Sequence, residues 1–90
     1  MAATEKWRKY LTPKEFNSLP HIGQVMAAYW TDWLPKTCKR LLAEGTNLAE
    51  FFDRKGNEFA DMQLDLMEQG MAEDGAWEIV KQEIFLPPER

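Results

Sequence analysis

Apolar side chains recur along this chain with the spacing of α-helices, and no stretch alternates with the two-residue period of a strand. A helical turn is expected within residues 3–10. Thr12-Pro13-Lys14-Glu15 then fits a capping box with proline at the first helical position, so a short helix starts there and stops before Pro20. The next helix is predicted from about Ile22 to Leu34. Its apolar face comprises Ile22, Met26, Tyr29 and Trp33.

Prolines and glycines divide the remaining chain into three further helical segments. Pro35 either kinks the preceding helix or starts a new one, because an interior proline loses a hydrogen bond and clashes with the preceding turn. That segment ends at Gly45, a residue suited to the position after a helix C-terminus. A long helix is predicted from Thr46 or Asn47 to about Ala72, and Asp74-Gly75 caps a last helix over 76–85.

The long helix carries a broad apolar arc and a narrow acidic stripe. Gly56 lies inside it at a cost of about 1 kcal/mol relative to Ala, which indicates a weak point or the close approach of another backbone. An arc this broad needs cover from several directions, so the helix lies within a bundle or faces a second subunit. The arc contains Phe59, Ala60, Met62, Leu64, Leu66, Met67 and Met71, and the stripe contains Glu58, Asp61, Asp65 and Glu68.

These patterns predict an all-α fold, a small bundle of four main helices with one or two short N-terminal helical turns. Ninety residues form a single helical domain, 1–90. Within it, residues 1–18 are expected to be a short N-terminal helical arm and residues 87–90 a proline-rich tail.

Charge is divided unequally along the chain. Residues 1–40 contain seven Lys/Arg and three Asp/Glu, a balance of +4, whereas residues 41–90 contain four Lys/Arg and twelve Asp/Glu, a balance of −8. The sum of −4 argues against direct nucleic-acid binding, which needs a basic surface. Because the two parts are complementary, and because the apolar arc is broad, the sequence predicts a homodimer.

Little in the sequence indicates catalysis, a cofactor or a membrane. His21, the single histidine, has no evident nucleophile or acid beside it, and a structural loop residue is expected. Cys38 would share a helix face with Leu41 and Leu42, so a buried thiol is favoured over a reactive one. One Cys and one His cannot build a zinc site. With no signal-peptide core and no run of about 20 apolar residues, a cytoplasmic protein that is not an enzyme is expected.

Two surfaces remain as candidates for partner binding. The N-terminal group resembles an interface anchor because it combines aromatic and basic side chains, although a short helix folded back over the bundle explains it equally well. The acidic stripe is the alternative, either as a solvated helix face or as a mimic of a nucleic-acid backbone. The first group is Trp7, Arg8, Lys9 and Tyr10, and the second is Glu58, Asp61, Asp65 and Glu68, extended by Glu73 and Asp74.

Several short elements resemble small transposon-encoded proteins of the TnpV type. They are Leu19-Pro20-His21-Ile22-Gly23, Tyr29, Pro35, Leu41-Leu42, Gly45, the stretch 53–59 and the ending 77–85. The chain departs from the family in having Gly56 where Ala is usual, in lacking a segment rich in Trp and Asn, and in being shorter. Since the family has no established activity, the resemblance implies only an origin in a mobile genetic element.

The function expected from these observations is protein binding as an accessory of a mobile element. The rival hypothesis is an inhibitor of a host nucleic-acid-binding defence complex, comparable to an anti-CRISPR protein, whose carboxylates stand in for phosphates. A structural subunit without a regulatory role is a third possibility.

Overall fold

The computed structural model describes residues 5–89, which are all-α, and the predicted fold class is confirmed. Four helices of nine or more residues form the bundle, and a short helix and a 3-10 helix precede them. The 3-10 helix spans Lys6–Lys9. The α-helices are α1 (Pro13–Asn17), α2 (His21–Trp33), α3 (Pro35–Ala43), α4 (Leu48–Glu68) and α5 (Glu73–Ile84).

The first turns of the chain follow the local sequence signals closely. The Glu15 backbone N–H donates to Thr12 Oγ1 at 3.1 Å, and the Thr12 N–H donates to Glu15 Oε1 at 2.8 Å. The predicted capping box is therefore confirmed. Ahead of it, the rings of Trp7 and Phe16 stack with centroids 4.0 Å apart and planes at 13°. This stack fixes the 3-10 helix to α1.

A proline and a glycine determine the bounds of α3. Pro35 begins a new helix, and Leu34 links it to α2 with φ −125° and ψ 52°. At the other end, Gly45 has φ +89° and donates its N–H to Leu42 O at 3.0 Å. The Thr46 N–H donates to Leu41 O at 2.9 Å. These two bonds form a Schellman motif, as expected from a glycine after the helix.

The boundary between α4 and α5 differs from the prediction. Helix α4 ends at Glu68 because Gly70 adopts φ +101° and donates its N–H to Met67 O at 3.0 Å. The chain enters α5 at Glu73, with Ala72 as the N-cap residue and no side-chain cap. Asp74 thus lies in the first turn of α5 and does not cap it. Gly70 is therefore the stop signal of α4, and the helix ends before the predicted end near Ala72.

Helices α2 and α4 cross at two glycines, which explains Gly56. A methyl group on Gly56 would lie 2.7 Å from the backbone nitrogen of Gly23 and 2.8 Å from its Cα. A methyl group on Gly23 would lie 2.8 Å from the carbonyl oxygen of Phe52. Of the two interpretations offered for Gly56, close backbone approach is confirmed.

The core is concentrated around this crossing. The indole Nε1 of Trp30 donates to Ile84 O at 2.8 Å, which links α2 to the end of α5. From 57 to 75 no residue is fully buried. The second half of α4 therefore lies at the edge of the core, against which Phe59, Ala60 and Leu66 pack. In the described range, no helix is both long and apolar enough to span a bilayer. The side chains with the least exposure are Met26, Ala27, Cys38, Phe52, Ala76, Val80 and Ile84.

Candidate partner-binding surface

The N-terminal aromatic and basic group is largely occupied within the fold. Trp7 is buried, with 8% exposure, and stacks on Phe16. Its ring therefore belongs to the core, and the expectation that it anchors a partner is corrected in favour of the folded-back helix. An indole has much apolar area, and the 3-10 helix brings it against α1, where that area leaves water.

The other three members of this group differ in their availability. Arg8 forms an ion pair with Glu5 and lies 4.7 Å from the centroid of the Trp7 ring. Tyr10 is half-buried, and burial raises the pKa of its hydroxyl. Lys9 is exposed and lines a small cleft with Tyr10 and Lys39. These residues offer charge at the surface but no exposed aromatic anchor.

The acidic stripe, by contrast, is fully on the surface. Its four carboxylates and the two that extend it, Glu73 and Asp74, are all exposed. Successive positions along α4 are separated by three or four residues, which places the carboxylates about 4.5–6 Å apart along the helix axis. Glu58 pairs with Arg54 at 3.7 Å and with Lys55 at 3.4 Å. No ion pair within the described range involves the other five, which are Asp61, Asp65, Glu68, Glu73 and Asp74.

Exposed apolar side chains flank the stripe on both sides. Leu64 is 57% exposed, and Met62 and Met71 are each 36% exposed. Met62 follows Asp61 and Leu64 precedes Asp65, so each lies about 100° round the helix from a carboxylate, on opposite sides. We call this surface the acidic hairpin. It comprises the six acidic residues Glu58, Asp61, Asp65, Glu68, Glu73 and Asp74 with Met62, Leu64 and Met71.

The single histidine borders the acidic hairpin. His21 is the first residue of α2, not a loop residue, and its side chain is exposed. It lines a cleft of about 360 Å³ together with Gln63, Glu73, Asp74 and Trp77. The cleft extends the acidic hairpin towards α2. The residues that line the cleft come from three helices, so their spacing in the sequence does not predict that they lie together.

Cys38 is a buried thiol, as its helix position predicted. It has 0% exposure and its Sγ lies 3.5 Å from Trp30 O. Burial is the main cause that raises the pKa of the thiol to about 11, and the charge of Glu89 adds to it. The thiolate needed for nucleophilic chemistry is therefore suppressed at neutral pH. Over the described residues, no group of His, Cys, Asp and Glu is placed to hold a metal ion.

The C-terminal tail makes a contact that sequence reasoning missed. The Glu89 Oε1 atom accepts hydrogen bonds from the backbone N–H of Lys36 at 2.7 Å and of Thr37 at 3.3 Å. Its carboxylate thus caps α3 from the other end of the chain. One signal was available: α3 begins at a proline after Leu34, which has no side-chain acceptor for the first N–H groups.

No protein-family model, curated protein or solved structure matches this chain.

Proposed function

We propose that this chain is a non-enzymatic binding protein that acts by protein–protein contact through the acidic hairpin. One observation carries the proposal. Residues 57–75 contain no buried residue, yet they expose Met62, Leu64 and Met71 beside six carboxylates, of which Glu58 alone has an ion pair within the described range. A solvated helix face needs the carboxylates but not the exposed apolar side chains.

The partner that fits this surface is a protein with a basic rim and an apolar centre. Protein interfaces place apolar groups centrally and charges at the rim, where the charges guide association and select the partner. On the acidic hairpin, Met62 and Leu64 supply apolar contact on both sides of the stripe. Methionine is also unbranched and adapts to irregular surfaces.

The biological setting that we propose is a mobile genetic element, a transposon, phage or plasmid. The support is the resemblance to TnpV-type proteins in the elements around Gly23, Pro35 and Gly45. We place the protein in the cytoplasm, in keeping with its single cysteine.

A second candidate function is inhibition of a host nucleic-acid-binding defence complex. The supporting observation is the row of exposed carboxylates on α4, which resembles a line of phosphates. Such a mimic would occupy a basic groove mainly by charge, whereas the first candidate also uses Met62 and Leu64. Charge-dominated binding weakens steeply with salt, because screening acts over about 8–10 Å at physiological ionic strength.

The first experiment is to isolate the partner with three forms of the chain and identify it by mass spectrometry. We expect Asp61→Lys/Asp65→Lys to lose the partner that the wild-type chain retains. Glu44→Lys/Glu83→Lys is the matched control, since it makes the same change of four charges at exposed positions outside the acidic hairpin. If both variants retain the partner, the acidic hairpin is not the binding surface.

The identified partner then allows the two candidates to be separated. Met62→Ser/Leu64→Ser keeps every carboxylate but removes the apolar flanks. We expect it to weaken binding, and we expect the wild-type affinity to fall only moderately with salt, because salt screens the charge pairs but not the apolar contacts. An unchanged affinity for this variant, together with a steep salt dependence, would favour the nucleic-acid mimic.

The proposed homodimer requires its own measurement. The apolar arc of α4 remains half-buried or exposed at Phe59, Leu66 and Met67 as well as at Met62 and Leu64. We expect light scattering at micromolar concentration to give twice the chain mass at low salt and the monomer mass at high salt, because the basic first part of the chain and the acidic second part are complementary. A monomeric wild-type chain at low salt would exclude the homodimer.

A further inference from the structure

The end of the chain lies along the C-terminal part of α2 and is held there by its backbone. The Tyr29 hydroxyl donates to Leu86 O at 2.6 Å. The Glu89 N–H donates to Trp33 O at 2.9 Å. Residues 86–89 have no regular secondary structure, so these bonds fix an irregular segment at two points.

A charged contact adds to these backbone bonds at the start of α3. One oxygen of the Glu89 carboxylate accepts the N–H groups of Lys36 and Thr37, and the other accepts the Thr37 hydroxyl. The bond from that hydroxyl is the main cause that lowers the pKa of Glu89, and the two N–H groups and the Lys36 charge add to it. The corner between α2 and α3 thus holds a carboxylate with three donors. Hydrogen bonds to ionised groups are stronger than those between neutral groups.

Residues 86–89 themselves gain little from apolar burial, because Leu86 is 37% exposed and Pro87 and Pro88 are also exposed. The preceding Phe85 is 40% exposed and packs its ring edge-on against Tyr29 and Trp77, with centroids 5.0 and 6.4 Å apart. Beyond that ring, the attachment depends on one carboxylate, one carbonyl and one N–H. Every peptide has the last two groups, and any peptide with a suitably placed acidic residue has the first. The two prolines favour an extended conformation, which lowers the entropy lost on docking.

We propose that this corner is a binding groove for an extended acidic segment of a partner protein, and that residues 86–89 are its displaceable resident occupant. The groove, which we call the tail groove, comprises Tyr29, Trp33, Lys36 and Thr37. Trp33 is 48% exposed and offers an aromatic surface beside it. The tail groove shares no residue with the acidic hairpin, so the inference stands independently of the proposed function.

Competition with the resident tail provides the test. The probe is a fluorescent peptide of residues 85–89, Phe-Leu-Pro-Pro-Glu, with both ends blocked, titrated into the full-length chain. The resident tail competes at an effective concentration in the millimolar range, as expected for a short linkage. We expect Glu89→Gln to bind the peptide at least about tenfold more tightly than the wild-type chain does. A control peptide ending in glutamine should bind at least about tenfold more weakly than the probe.

A second measurement identifies the place of binding. Saturating peptide should shift the backbone amide resonances of Lys36 and Thr37 in Glu89→Gln, and a further Thr37→Val exchange should weaken binding. If Glu89→Gln loses helical content, the same amide shifts are measured in the wild-type chain at higher peptide concentration. Equal affinity in both chains, no preference for glutamate, or no shift at these amides would overturn the proposal.

Discussion

The two halves of α4 have similar amphipathic patterns but different surroundings. The first half buries Leu48, Phe52 and Gly56, whereas the second half, from residue 57 to residue 68, buries none of its side chains. Around the first half, α2 approaches closely at Gly23 and through Trp30, whose ring centroid lies 6.3 Å from that of Phe52. Trp30 in turn donates to Ile84 O at the end of α5. Amphipathicity thus identifies the apolar face of a helix but not the extent to which neighbours cover it.

This difference suggests a division of roles along one helix. The first half contributes most to stability, and the exposed face of the second half, which includes Met62 and Leu64, can vary or bind without loss of the core. Binding surfaces commonly have residues that do not favour stability, because selection maintains function and only a threshold of stability. Four predictions test this division, in order of decreasing effect.

The largest effect is expected from truncation of the buried ring of α4. Phe52→Ala should lower the free energy of unfolding by about 3–5 kcal/mol, since Phe52 has 0% exposure and a cavity would remain. Leu64→Ala, on the same helix, should change it by less than about 0.5 kcal/mol. Urea denaturation followed by circular dichroism measures both values. Similar losses would show that the two halves are equally important for stability.

Cys38 reports on whether the core opens. Its pKa is raised from 9.0 to about 11, so its thiolate fraction at pH 8 falls about 100-fold. Alkylation by iodoacetamide should therefore be at least about 100-fold slower in the folded chain than in urea. The Cys38 thiol ionises at lower pH in the unfolded chain than in the folded chain. The contribution of the protonated thiol to the free energy of unfolding is therefore complete below about pH 9 and is lost as the pH rises to about 11. Rapid alkylation at pH 8 without urea would contradict a closed core.

Replacing a glycine by alanine should change the free energy of unfolding in opposite directions at positions 56 and 75. Gly56→Ala should lower the free energy of unfolding by about 1–2 kcal/mol, because the clash with the Gly23 backbone exceeds the gain in helix propensity. Gly75→Ala should raise it by about 0.5–1 kcal/mol. At Gly75 the nearest atom to a new methyl group is Met71 Cγ at 3.2 Å, on a flexible side chain. Thermal unfolding of both variants measures the two changes in stability. An increase in stability for Gly56→Ala would disprove a rigid crossing of α2 and α4.

The smallest effect concerns charge on the acidic hairpin. Asp61 and Asp65 are four residues apart on one helix face, and like charges at this spacing destabilise a helix by about 0.2–0.5 kcal/mol. Asp61→Asn/Asp65→Asn should therefore slightly stabilise the chain while it weakens partner binding. Glu78→Gln is the contrasting variant, because Glu78 pairs with Lys81 at 2.9 Å, and it should slightly destabilise. Both changes should diminish in high salt, and a loss of stability in the first variant would argue for a structural role.

Sequence reasoning succeeded where the signals were local. The capping box at Thr12 and the motif at Gly45 each depend on residues within a few positions of one another. Pro35 was consistent with either a kink or a new helix, and the structure shows the new helix. The same reasoning missed the stop at Gly70, although its signal was also local. Gly56 gave two interpretations, and choosing between them required knowledge that Gly23 lies opposite it.

The candidate sites were less predictable because they depend on contacts between distant segments. The acidic residues and their helix face followed from periodicity, but the exposure of Met62 and Leu64 depends on which faces of α4 the neighbouring helices cover. Trp7 stands among basic residues, a composition typical of an interface anchor. Its stacking on Phe16 depends on the turn between the two residues, which composition does not predict. Glu89 caps a helix that begins 54 positions earlier in the chain. No periodic pattern reports such a contact.

The crossing of α2 and α4 has an evolutionary consequence. A methyl group on Gly56 would meet the backbone of Gly23, and a methyl group on Gly23 would meet the carbonyl oxygen of Phe52, one helical turn before Gly56. Because both clashes arise at the same helix crossing, positions 23 and 56 do not vary independently. In any relative that keeps this crossing, we expect small residues at both positions. A larger residue at one of them should accompany a shift of the two axes and compensating changes near Pro20 and Phe52. The two positions, 33 residues apart, should therefore covary, and we expect them to identify remote relatives better than the proposed binding surface does.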